Sequence, residues 1–251
     1  MASIPVALQM YTVRREADLD FVGTLREVAR IGYAGVELAG LPITVEDLKL
    51  ELGNLGLQVP SMHFAYDNLV NDLDRTVDTA LRIGMRYVAC PWLPEAMHNE
   101  DGFRKAAEEL SRVGEECAQH GLELCYHNHA FEFQRFDGEC GYDILMGASN
   151  PRFLKAQIDT YWVRYGGADP ADYIRRYTGR CPMVHLKDMA DDADRSFAEV
   201  GSGVMDFDVI FDAATAAGTA WYVVEQDICK GSALDSARIS FENLKLMGMV
   251  P

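Results

Sequence analysis

The sequence is poor in several things that would have fixed its class at once. Its six cysteines are scattered and none forms Cys-x-x-Cys, so neither a zinc ribbon nor a dithiol redox motif is indicated. Reduced thiols are the expectation, since a chain of 251 residues has core enough without disulfides. No apolar run approaches the ~20 residues that span a bilayer. Met1-Ala2-Ser3-Ile4-Pro5 carries no basic segment followed by an apolar stretch, so a cytoplasmic protein without a signal peptide is expected. Positive charge is also scarce, with 23 Lys and Arg against 39 Asp and Glu, a net charge of −16. That balance gains nothing from phosphate-backbone attraction, and it argues against nucleic acid and anionic membranes as partners. The glycine-rich fingerprint of a dinucleotide fold is missing as well: Gln9-Met10-Tyr11-Thr12-Val13 follows the first strand candidate instead.

What is present is a regular punctuation. Glycine closes an amphipathic segment and precedes a short apolar one in Ile31-Gly32-Tyr33, Leu55-Gly56-Leu57, Ile83-Gly84-Met85, His120-Gly121-Leu122 and Ala217-Gly218-Thr219. Glycine there accepts the left-handed conformation that ends a helix. The apolar runs that follow read as strands buried on both faces, the habit of parallel sheets. Strands are predicted at Val6–Gln9, Gly35–Leu38, Gln58–His63, Tyr87–Pro91, Glu123–His127, Leu154–Asp159, Met183–Leu186 and Trp221–Glu225. Helices are predicted at Leu19–Ile31, Val45–Leu55, Leu69–Ile83, Glu100–Gln119, Tyr142–Ala148, Pro170–Tyr177, Phe207–Ala217 and Leu234–Met247. Thr44 with Asp47 forms a capping pair, and Asp169-Pro170 sets an acceptor before a proline at the first helical position. No linker divides these units. The expectation is one α/β domain over residues 1–251, a (β/α)₈ TIM barrel rather than an open doubly wound sheet.

Active sites of such barrels lie at the C-terminal ends of the strands. Those ends read Gln9, Glu37, His63, Pro91-Trp92, His127-Asn128-His129, Asp159, His185 and Glu225. Among them Glu132, Asp159, His185 and Glu225 offer three oxygen donors and one nitrogen, a set suited to one divalent metal ion: Mn²⁺ first, with Mg²⁺, Co²⁺ or Zn²⁺ as alternatives. A cation also relieves the repulsion of acids gathered in one pocket.

Six segments carry a resemblance. They are Leu8-Gln9-Met10-Tyr11-Thr12-Val13-Arg14, Gly32-Tyr33-x-Gly35-Val36-Glu37, Tyr126-His127-Asn128-His129-Ala130-Phe131-Glu132-Phe133, Ile158-Asp159-Thr160, Val184-His185-Leu186-Lys187-Asp188 and Val224-Glu225. Together they resemble the xylose-isomerase-like TIM-barrel sugar isomerase/epimerase superfamily, near its inosose dehydratase-like members. The resemblance implies a Glu–Asp–His–Glu metal site on Glu132, Asp159, His185 and Glu225, with His127 the rival for the first place. It implies Glu132 and Glu225 as the catalytic acid–base pair. The chemistry implied is removal of a proton beside a carbonyl through an enediolate that the metal stabilises. Return of the proton gives an epimer or an aldose–ketose isomer. Loss of a β-substituent gives a dehydratase or lyase, acting on an inosose or a 3-keto-glycoside, and a non-catalytic sugar-binding barrel is a further alternative.

The partner expected is a small-molecule sugar, with self-association left open. Gln9, His63, Trp92, His127, His129 and Lys187 are the candidates for binding it. Each has a plain structural reading beside that one: a satisfied polar cap for Gln9, His63 and His129, core packing for Trp92, an ion pair to a pocket acid for Lys187. Glu37 is expected to hydrogen-bond a metal ligand. His98 and His120 are expected in solvent. Ala190-Asp191-Asp192-Ala193-Asp194 reads as a solvated loop and Gly201-Ser202-Gly203 as a turn.

Overall fold

The computed structural model describes residues 4–250, so the first three residues of the leader reading lie outside it. Eight parallel strands form its centre: β1 Val6–Gln9, β2 Gly35–Glu37, β3 Ser61–His63, β4 Tyr87–Cys90, β5 Glu123–His127, β6 Leu154–Asp159, β7 Met183–Leu186 and β8 Trp221–Val224. They are ordered 2-1-8-7-6-5-4-3. Bridges from Gly35 to Gln58 and from Leu38 to Met62 then join β2 to β3 and close the ring. The chain is a TIM barrel, as the alternation predicted.

The strands carry almost no exposed residue, because helices cover the outside and side chains fill the inside. The large outer core lies between strands and helices and includes Leu8, Leu25, Leu110, Ile158 and Leu244. A separate inner cluster of Tyr87, Ala89, Cys125 and Met183, with Trp221 packed on it, seals the bottom of the barrel. Side chains alternate along a strand, so the residue two places after an inner one also points inward. Cys125 is followed by His127, Met183 by His185, Gly35 by Glu37 and Ser61 by His63. Period two thus carries each strand from an apolar floor to a polar mouth.

Several boundaries follow local chemistry closely. Thr44 accepts from Asp47 N at 3.1 Å and Asp169 from Asp172 N at 2.9 Å, so both predicted caps are present. Gly56 (φ 68°) and Gly218 (φ 80°) end their helices in the left-handed region. The helix expected from Leu19 to Ile31 runs from Phe21 to Ile31, and an unforeseen helix, Arg14–Leu19, precedes it. Asp20 divides them by accepting from Gly23 N at 2.8 Å, the usual competition of a short acidic side chain with the helix ladder. The Leu69–Ile83 segment is likewise Tyr66–Asn71 and Leu73–Ile83. An unforeseen short helix, Thr160–Tyr165, follows β6, its N-terminus capped by Asp159. Among the described residues no helix is long and apolar enough to cross a membrane. All six cysteines are free, five of them buried.

Candidate metal centre and its surroundings

The polar mouth is organised around Glu37, a fully buried carboxylate. Its Oε2 lies 2.6 Å from Gln9 Nε2, 3.1 Å from His63 Nε2 and 2.7 Å from His185 Nε2. Its Oε1 accepts from Gln157 Nε2 at 2.6 Å and from the Ser61 hydroxyl. Burial would raise this carboxyl, but the neighbouring His63 and His185 hold it well below its ordinary range. Gln9 is spent on this network, its Oε1 accepting from Tyr11 N at 3.2 Å. His63 is shared between Glu37 and Gln157 Oε1, the latter at 3.0 Å.

Above that layer stands a group of four donors. His127, Asp159, His185 and Glu225 are all buried, and one ligand atom of each lies within 4.8 Å of every other. His185 is held at both ring nitrogens, Nε2 by Glu37 and Nδ1 by Glu225 Oε2 at 2.7 Å. Burial pulls its pKa down, yet Glu37 and Glu225 raise it to about 10. His127 has the opposite balance: burial, then the neighbouring His185, lowers it well below 6.5. Its Nδ1 is buried without a partner, and so is Nδ1 of His129, which burial lowers to about 3. Burial lifts Asp159 to about 6, with Lys187 working against the rise.

Lys187 is the other cation in the pocket. It is fully buried, with Nζ 3.0 Å from Asp159 Oδ2, 2.9 Å from Glu225 Oε2 and 2.9 Å from Asp227 Oδ1. Burial disfavours its charge, but Asp159, Glu225 and Asp227 outweigh that and keep it an ammonium. Lys187 and His185 together still face four buried or nearly buried carboxylates: Glu37, Asp159, Glu225 and Asp227. Unbalanced charge in a desolvated site is expensive. Two imidazoles, two carboxylates, an orphaned imidazole nitrogen and a shortage of positive charge fit a divalent cation.

Glu132 stands apart from this group. It is fully buried, its Oε1 accepting from Tyr126 Oη at 2.8 Å and its Oε2 from His129 N at 2.9 Å. The structure therefore brings His127, rather than Glu132, among the clustered donor atoms. The reason is local: the 3₁₀ turn Phe131–Phe133 folds Glu132 back toward its own strand. Burial raises the Glu132 carboxyl to about 8. The proton it holds in the fold is released on unfolding, where the ordinary value is 4.5. Its contribution to stability is thus fully present below pH 4.5 and is lost as pH rises toward 8. In chelator-treated protein the Glu132→Gln variant is expected to flatten this decline. Urea unfolding at several pH values reads it, and parallel curves for variant and wild type would refute it.

The remaining candidates sit at the rim. Trp92 is 45% exposed and meets the His129 ring edge-on at 4.9 Å. His98, expected in solvent, instead lies flat on Phe131 with ring centroids 3.7 Å apart and Nε2 2.9 Å from Leu93 O. His120 is exposed as expected. The loop 191–195 is solvated, and the turn at Gly201–Gly203 is tied down by Asp188, which accepts from Gly201 N, Gly203 N and Met205 N. Sequence reasoning missed Gln157, Asp227 and Trp162. The first two had a signal, for each lies two residues from a predicted ligand, Asp159 or Glu225, at the spacing that shares a strand face.

Glu37 Oε2 lies 2.7 Å from Nε2 of His185, one of the four clustered donors, where a carboxylate can orient the ring of a ligating imidazole. Glu37→Gln is expected to weaken divalent-ion affinity about 10- to 100-fold, measured by calorimetric titration. An unchanged affinity would remove Glu37 from that role.

The family profile for xylose isomerase-like TIM barrels matches residues 25–246. Inosose dehydratase 1 of Bacillus cereus is 22% identical, the match covering 82% of each chain. A crystal structure of a sugar phosphate isomerase/epimerase from Parabacteroides distasonis ATCC 8503 superposes with a TM-score of 0.86 at 24% identity, over 100% of this chain and 96% of that one. The crystal structure of the IOLI protein with a bound zinc atom superposes with a TM-score of 0.76 at 14% identity, covering 98% of both chains.

Proposed function

The chain belongs to the xylose isomerase-like TIM-barrel family, and from that premise we propose that it is a divalent-metal-dependent isomerase or epimerase of a small sugar or keto-sugar. The observation that carries this reading is the cluster of His127, Asp159, His185 and Glu225 at the C-terminal mouth of the barrel. These four would hold the ion, His127 taking the place that the sequence suggested for Glu132. The zinc bound in the IOLI protein supports a metal in this class of barrel and leaves its identity here open. Such an ion, when bound, acts as a Lewis acid that polarises a carbonyl and acidifies the neighbouring C–H.

The chain's own residues supply the rest. Glu225 is our choice of base: its carboxylate is one of the four clustered donors, and Lys187 and His185 outweigh burial and keep it ionised. Lys187 points a charge-bearing donor at the same place, where it steadies the oxygen that becomes negative as the proton leaves. Glu132, expected as the second acid–base group, has both oxygens engaged by Tyr126 and His129. We assign it to holding the His127–His129 turn. Glu37 stands against the His185 imidazole, and Trp92 with His129 forms the rim that a sugar ring passes.

Incubation of metal-loaded protein with a panel of ketoses and inososes in D₂O is the test. Deuterium is expected at the carbon beside the carbonyl. No exchange with any sugar of the panel would sink the reading. The similarity to an inosose dehydratase favours one alternative, loss of a β-hydroxyl after the same proton abstraction. A new enone absorbance accompanying exchange would identify that outcome.

A further inference from the structure

The strand ends gather more imidazole than the four-donor group uses. His63, at the end of β3, has a side chain only 12% exposed. One of its ring nitrogens lies within 4.8 Å of a nitrogen on His127 and of one on His185. These three rings make a second donor group, which shares His127 and His185 with the first. They pack directly on one another. His63 and His185 are stacked with centroids 5.6 Å apart, and His127 stands 4.4 Å from His185 and 5.0 Å from His63. Nδ1 of His127 is buried and has no hydrogen-bond partner, where such atoms are normally satisfied.

The surroundings of His63 fix its proton. Both atoms that face its Nε2 are acceptors, Glu37 Oε2 at 3.1 Å and Gln157 Oε1 at 3.0 Å. The Gln157 amide is set that way round because its Nε2 donates to Glu37 Oε1 at 2.6 Å. The neutral ring therefore carries its proton on Nε2 and its lone pair on Nδ1. A carboxylate behind one nitrogen and a lone pair on the other is the arrangement of a metal-ligating imidazole. Lys187, by contrast, occupies the first group. Its ammonium lies 3.0 Å from Asp159 Oδ2 and 2.9 Å from Glu225 Oε2. An ion bound by the three imidazoles does not have to take those oxygens from it.

Resting on the reading of this pocket as a metal centre, we propose that it holds two overlapping cation positions and that His63 is a metal ligand rather than a sugar contact. His127, Asp159, His185 and Glu225 serve an ion that favours oxygen, Mn²⁺ or Mg²⁺. His63, His127 and His185 serve one that favours nitrogen, Cu²⁺, Ni²⁺ or Zn²⁺. Two rings are common to both groups, and a ring bridges two ions only by giving up its remaining proton, so the positions fill one at a time. An ion taken by the imidazoles leaves Asp159 and Glu225 paired with Lys187. The kind of metal then decides whether the proposed base has an ion beside it.

Pulsed electron paramagnetic resonance on chelator-stripped protein given one equivalent of Cu²⁺ counts the coordinated imidazoles. Three are expected in the wild type and two in His63→Ala. Calorimetric titration supplies the affinities. His63→Ala is expected to weaken Cu²⁺ and Zn²⁺ about tenfold or more and Mn²⁺ by less than about threefold, and Asp159→Asn to do the reverse. Mn²⁺-loaded protein given Cu²⁺ should release its Mn²⁺, the total staying near one ion per chain. A wild-type count of two, which depends on no variant, would overturn the second position. So would equal weakening of all three ions by a His63→Ala protein of unchanged circular dichroism, or two ions bound at once. Cu²⁺ on three imidazoles in a protein with no affinity for Mn²⁺ would instead remove the four-donor group and leave this one standing. None of these measurements reads deuterium exchange, so the proton chemistry and the second position can fail separately.

Discussion

Glu225→Gln protein, purified without chelator, is expected to carry no divalent ion, where the wild type carries about one per chain by metal analysis. Glu225 is the residue on which the centre converges. Its Oε2 is 2.7 Å from His185 Nδ1 and 2.9 Å from Lys187 Nζ. It is also one of the four clustered donors. The amide keeps the shape but brings no negative charge and a far weaker donor oxygen, so the ion loses its strongest anchor. The same change removes the proposed base. Exchange of deuterium into substrate should then fall by about three orders of magnitude or more, a loss of about 4 kcal/mol in transition-state stabilisation. In chelator the variant is expected to melt below the wild type, because the amide gives up the charge that faces His185 Nδ1 and Lys187 Nζ; an unchanged far-UV circular dichroism spectrum separates that loss from misfolding. Metal absent from the wild type itself, even after soaking in Mn²⁺, Co²⁺ or Zn²⁺, would defeat the metal assignment and leave a sugar-binding barrel as the better account.

The barrel was legible because its signals are local and repeated. Glycine after each amphipathic helix, and short runs such as Leu154–Asp159 and Met183–Leu186 buried on both faces, needed no long-range knowledge. Strand ends were legible for the same reason, and the barrel topology brings Asp159, His185 and Glu225 together once the count of eight is right. Glu132 was not legible in this way. Its direction depends on one 3₁₀ turn and on hydrogen bonds from Tyr126 and His129, which no periodicity reports. The importance of Glu37 was also underread. A lone acid at the end of a three-residue strand looks like a cap until Gln9, Ser61, His63, Gln157 and His185, from four other strands, are seen to meet it. Contacts between strands far apart in sequence are set by closure of the ring, and composition carries no trace of them.

Lys187→Met tests how the site holds its charge. In chelator the variant should melt roughly 10 °C below the wild type, since breaking a buried ion pair from one side costs about 3–5 kcal/mol. Asp159, Glu225 and Asp227 would each lose a contact of 2.9 to 3.0 Å to the ammonium. Methionine matches the length of the stem, so packing changes little and the loss reports charge. A divalent ion should then restore more stability to the variant than to the wild type. The ammonium would compete with such an ion for Asp159 Oδ2 and Glu225 Oε2, both of which it contacts along with Asp227. In the variant the ion meets bare carboxylates. Thermal melts in EDTA and in saturating Mn²⁺ or Zn²⁺ measure both terms. A variant as stable as the wild type in EDTA would mean the three acids protonate without cost. An ion-induced gain no larger in the variant would mean that Lys187 and the ion occupy separate places, with Lys187 free to face the substrate throughout.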